Sequence, residues 1–229
     1  MNSQIVQLRQ LLADRFPHLR TWTDTPPAPS CWKTGVERLD TLLHGGLAKG
    51  SITEIVGGNS GRDGRAAPSA SGTGSGLLLH ALIEQAHATQ QIIVLIDAAD
   101  SFDPCSFAQE TLSRLLWVRC KNAAEALKAT DIILRDRNLP LVLLDLKMNP
   151  AAQLRKISGT IWYRLQRIVQ QNGTSFVVFT PNAMVSSTEV RLTLNSHFDI
   201  TALSQTPEEL VPELHFNLDR ENLRAVEVG

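Results

Sequence analysis

Gly57 and Gly61 follow the apolar stretch "SITEIV" (51–56), Gly74 and Gly76 flank the start of "LLLHALI" (77–83), and Arg62 stands directly after Gly61. A glycine-rich turn between a strand and a helix lets backbone N–H groups and the positive helix end approach an anion, so the chemistry open to this stretch is phosphate binding. The complete pattern is G-x-x-x-x-G-K-[ST], in which the lysine meets the terminal phosphates and the hydroxyl holds Mg²⁺. "GGNSGRD" (57–63) has one residue too few between Gly57 and Gly61, and it puts Arg62 and Asp63 at the lysine and hydroxyl positions. "SGTGSGLLL" (71–79) places Gly76 correctly but offers Leu77 and Leu78. Neither register completes the pattern, and a bulky guanidinium does not substitute for a compact ammonium. The expectation is a degenerate loop over 58–76, with Gly57, Gly61 and Arg62 left to hold a nucleotide weakly.

Other chemistry is thinly represented. His80 and His87 lie on one helix without the His and carboxylate spacing of a metal site, and the remaining histidines are scattered. No G-x-S-x-G elbow occurs. Cys105 follows Pro104 near a helix start, a place where a thiol can become reactive, although an idle thiol is the simpler reading.

Elements that would position such a loop are legible from periodicity. "QIIVLID" (91–97), "LLWVRC" (115–120), "PLVLLDL" (140–146) and "TSFVVFT" (174–180) are short apolar runs, separated by the amphipathic helical stretches 77–88, 122–137 and 158–172. Strands apolar on both faces and separated by helices imply a parallel sheet covered on both sides, hence an α/β fold. After residue 185 the stretches "EVRLTL", "FDITAL", "ELHFNLD" and "LRAVEV" read as short strands without a helix, expected to add antiparallel strands at one edge.

This order of segments resembles the RecA/RadA recombinase core over residues 33 to 220. The resemblance is carried by "TGVERLDTLLHGGLAKGSITEIVG" (34–57), by "VLIDAADSFDP" (94–104), by "PLVLLDL" as the Walker B strand, and by 154–182 as the closing helix and strand. It implies a RecA-like P-loop NTPase fold, a mainly parallel central sheet flanked by helices with C-terminal antiparallel strands. Within that superfamily the chain is most similar to small bacterial proteins without recombinase activity, the ImuA and SulA-like group. The acid that activates water in the RecA pattern would fall on Ala99, with Asp100 beside it aimed elsewhere, while Asp145 keeps the Walker B position. Two segments matching DNA-binding loops carry Lys147, Arg155, Lys156 and Arg191, and the helix between them adds Arg164 and Arg167. These six are the candidate contacts to single-stranded DNA, with a solvated helix face as the alternative. Trp162 and Tyr163 stand among them, at least one being expected in the core.

Composition bounds the rest. The 229 residues suffice for one α/β domain, and the formal net charge of -1 excludes a global field for nucleic acid or anionic membrane. Three cysteines without metal-type spacing fit a reducing cytoplasm. No stretch has signal-peptide or membrane-span character, so a cytoplasmic location is expected. Residues 1–30 read as a helical arm, with Ile5, Leu8, Leu11, Leu12 and Phe16 on one face, and a Pro-rich linker "TPPAPS" that could serve oligomer formation; 31–229 read as the RecA-like domain.

The function the resemblance implies is a non-hydrolysing accessory protein in DNA repair or damage-induced mutagenesis, the SOS response. It would act through contacts with a polymerase subunit or RecA and need no cofactor. A divergent ATP-binding protein using Arg62 and Asp145 with ATP and Mg²⁺ is one alternative, and a SulA-like division inhibitor is another.

Overall fold

The structure is a computed structural model describing residues 31–57, 73–196, 198 and 200–221. The expected arm helix, most of the glycine loop with Gly61, Arg62 and Asp63, and the last expected strand "LRAVEV" lie outside the described residues.

A two-residue ribbon, β1 (Cys31–Trp32) with β2 (Leu47–Ala48), encloses helix α1 (Glu37–Leu42). The main sheet then begins with β3 (Ile52–Val56), followed by helix α2 (Ser75–Ala88) and β4 (Ile93–Asp97). Next come a short α3 (Gln109–Leu112), β5 (Leu115–Arg119), α4 (Ala123–Ile133) and β6 (Leu141–Asp145). The one-turn α5 (Ala151–Leu154), the longer α6 (Gly159–Asn172) and β7 (Ser175–Thr180) complete the alternating part. The chain ends in β8 (Val190–Leu194), a one-turn α7 (Pro207–Leu210) and β9 (Phe216–Glu221). Strand order is β5-β4-β6-β7-β3-β8-β9, parallel throughout except for β9, which runs antiparallel to β8.

Successive strand residues alternate between two cores, as the apolar runs require. Ile93, Leu95, Leu141, Leu143, Val177 and Phe179 face α1 and α2, where Leu39, Leu78, Leu82 and Ile83 meet them. Val94, Ile96, Val142, Leu144, Phe176 and Val178 face α4 and α6. Trp162 sits in the second core at 1% exposure, and truncating a side chain of that size costs about 3–5 kcal/mol. Tyr163, one position on, is 59% exposed. Helix α6 starts where the Ser158 hydroxyl accepts from Thr160 N–H, and it stops at Gly173, whose φ of 72° is the left-handed cap glycine favours.

Two features of the C-terminal part differ from the sequence reading. "EVRLTL" does form β8, but it pairs parallel with β3, on the side away from β7. Residues 181–189 make that crossover without a helix, because an extended segment of this length spans roughly 30 Å, more than a five-residue strand requires. "FDITAL" is not a strand: Ile200–Ser204 is a 3-10 turn, leading into α7. The start signal there is local and readable. Thr206 and Glu209 form a reciprocal capping box with Pro207 in the first turn.

Candidate functional site

The ends of β3, β4, β6 and β7 and the first turn of α2 open onto one cleft of ≈ 800 Å³. Ligands of open parallel sheets sit outside the carboxyl ends of the strands, so this is the place to look for chemistry. Gly57 closes β3 and donates its N–H to Thr180 O at 3.0 Å; a Cβ on it would stand 3.0 Å from Ser75 Cβ. Gly74 precedes α2 with φ 85°, and a Cβ there would lie 2.5 Å from Leu214 Cδ2. The glycines therefore serve close packing as much as any ligand.

The first turn of α2 borders the cleft. Gly76 is exposed at the helix start, Leu77 lines the cleft and Leu78 is 1% exposed in the core. In the register that ends at Gly76, the positions of the lysine and the hydroxyl thus carry apolar side chains.

Asp145, at the end of β6, lines the same cleft at 7% exposure. Its Oδ1 accepts the Lys147 N–H at 2.9 Å, and Lys147 Nζ lies 3.2 Å from its Oδ2. The ammonium also stands 5.1 Å over the Phe179 ring, and the Lys147 side chain keeps only 14% exposure. The resemblance makes Lys147 a candidate DNA contact; the fold turns it into the cleft.

The second carboxylate position is equally altered. Asp97, 1% exposed, shapes the turn after β4 by accepting from Ala99 N–H (3.2 Å) and Phe102 N–H (2.8 Å). Ala99 has no acid to offer. Asp100, in the left-handed region at φ 53°, makes a two-pronged pair with Arg119 at 2.6 and 2.7 Å. The Arg119 hydrogen bond holds the Asp100 carboxyl below its usual range, and Arg119 in turn lies over Trp117 at 4.8 Å. Asp100 does not line the cleft.

An aromatic wall stands opposite. His80 stacks on Phe107 at 4.7 Å, Phe107 leans on Phe102 at 5.4 Å, and Phe102 meets Trp117 edge-on at 5.2 Å. Asp103 caps the short turn that carries Phe107, and bonds from Ser106 and the Cys105 N–H lower its pKa. Cys105 is an exposed free thiol on that turn. Burial pushes the Cys120 thiol up, with Glu125 and Asp97 adding to the shift.

The six cations do not form one surface. Arg191 Nε lies 2.6 Å from Oε2 of the fully buried Glu54, and its Nη2 donates to Val185 O. Glu54 also accepts from Thr180 Oγ1, Met184 N–H and Val185 N–H, so this pair pins the crossover before β8. Arg155, Lys156, Arg164 and Arg167 are exposed on α6 and the segment before it, with Arg164 paired to Asp131 at 3.1 Å. Sequence reasoning missed Glu54 altogether, since a lone acid in an apolar strand has no local signal of its partner.

No protein-family model matches the chain, and no curated protein matches it in sequence. Among solved structures it is similar to the crystal structure of the RadB recombinase, with a TM-score of 0.53 and 16% identity over 70% of this chain and 81% of that one. The chain has the RecA-like fold. Among the described residues, those that line the cleft do not reproduce the lysine and hydroxyl that hold a metal-bound triphosphate. The acid at the end of β6 already faces an internal ammonium, and the first turn of α2 presents leucine. Among the described residues no helix is long and apolar enough to cross a membrane.

Proposed function

We propose that this chain is a RecA-like accessory protein that does not hydrolyse ATP and acts through contact with other proteins, in DNA repair or damage-induced mutagenesis. The observation that carries the reading is the Asp145–Lys147 pair. Phosphoryl transfer depends on positioned positive charge around the phosphates and on an oriented nucleophile. Among the described residues the one lysine lining the cleft is matched by Asp145, while Leu77 and Leu78, in the register that ends at Gly76, and Ala99 stand at the other working positions. A retained fold with a disabled centre is a scaffold, and the fold alone does not name its task. Exposed Arg155, Lys156 and Arg167 allow at most weak, sequence-independent contact with single-stranded DNA.

The test is phosphate release from ATP by the purified full chain, with and without single-stranded DNA, beside Asp145→Ala. Background rates throughout are expected. Turnover in the parent chain that disappears in Asp145→Ala would overturn the reading.

A further inference from the structure

A second cavity, of ≈ 550 Å³, lies on the other side of the sheet from α2, between α4 and the α5–α6 segment. Its size falls within the ~300–1,000 Å³ typical of binding sites. Ala123 and Leu127 of α4 face Ile157 and Ile161 across it, giving an apolar floor. Lys128, Lys156 and Arg164 stand on the lining, and no carboxylate does among the described residues. In a chain of net charge -1 such a cation-only lining is a local departure from the average. The amide oxygens on the lining are already used: Asn122 Oδ1 accepts from Glu125 N–H, and Gln153 Oε1 from Ala123 N–H. Lys128 and Lys156 have no ion-pair partner among the described residues, and Arg164 shares Asp131 with Arg135.

We propose that this groove is the docking site for an acidic, amphipathic segment of a partner protein, one that inserts apolar side chains between α4 and α6 and sets its carboxylates against Lys128, Lys156 and Arg164. The proposal rests on the contact-based function above and says where the contact is made. Nucleic acid fits the same cations less well. Phosphate and sugar have no use for an aliphatic floor, and among the described residues the groove lining carries no aromatic side chain for a base to stack on. An apolar helix face laid between two helices, with charges setting its orientation, is a recurrent mode of peptide recognition, and the charge match would raise the rate of encounter.

The probe is a library of short random peptides displayed on phage and selected on the immobilised full chain, with Lys128→Glu/Lys156→Glu as the counter-selecting variant. Both lysines are exposed, so this variant should fold, and a thermal melt checks it. Expected are peptides rich in Asp and Glu with spaced Leu, Ile or Phe. Labelled copies should weaken about tenfold or more on the double variant and on Ile161→Gln, and should bind less tightly as salt rises. Peptides that are basic or uncharged, binding indifferent to both variants, or no selection at all would each overturn the proposal. So would single-stranded DNA that displaces the selected peptides and loses as much affinity in Ile161→Gln as in the double variant, which assigns the groove itself to nucleic acid. Phosphate release from ATP is measured on the same preparations. Turnover there removes the non-hydrolysing reading without touching the groove, whereas failed selection with no turnover removes only the groove.

Discussion

Lys147 Nζ lies 3.2 Å from Asp145 Oδ2, with both side chains largely withdrawn from solvent at the mouth of the cleft. The two residues are separated by one position, and the Asp145 carboxylate also holds the Lys147 N–H, so a single short turn fixes both ends of the pair. Charge that could have served a ligand is thereby consumed within the protein.

Removing one member should therefore destabilise more than removing both. Lys147→Met leaves Asp145 partly buried without its counter-charge, at an expected cost of about 1–3 kcal/mol, below the ~3–5 kcal/mol of a fully buried pair because the cleft admits water. Adding Asp145→Asn should recover most of the loss. Urea unfolding of the two variants decides it; a Lys147→Met protein as stable as the parent would show that the pair contributes nothing.

The Glu54–Arg191 pair should be less forgiving. Glu54 has no exposure, and its three remaining hydrogen bonds cannot replace a positive charge. Arg191→Met is expected to cost about 3–5 kcal/mol. Arg191→Lys should rescue it only in part, since one ammonium cannot reproduce the fork that reaches both Glu54 and Val185 O. Unfolding midpoints provide the comparison, and full rescue by lysine would reduce the role of Arg191 to charge alone.

Single-stranded DNA should distinguish the exposed cations from the engaged ones. Joint change of Arg155, Lys156 and Arg167 to Ala is expected to flatten the dependence of log affinity on log salt by roughly 0.7 for each phosphate that is no longer neutralised. Arg191→Met, whose side chain is held by Glu54, should leave that slope unchanged. Fluorescence titrations at several salt concentrations measure both, and an altered slope in Arg191→Met alone would place DNA at the crossover instead.

What the chain determined by itself is what rests on residue identity and on neighbours a few positions away. Runs such as "VLLD" and "FVVF", alternating with helical stretches, suit a parallel sheet covered on both faces, and they do form β6 and β7 there. Leu77, Leu78 and Ala99 lack the functional groups for phosphoryl transfer in any fold. The tertiary structure alone decided the rest. Glu54 and Arg191 stand 137 positions apart and become partners only because β8 lies parallel beside β3. Lys147 and Arg155 look alike in sequence, yet one turns toward Asp145 at the carboxyl end of β6 and the other toward solvent. A cation's availability depends on which carboxylate the fold brings within about 4 Å; for Lys147 a turn at the end of β6 sets that distance, and for Arg191 strand order and crossover path do, which local periodicity does not encode.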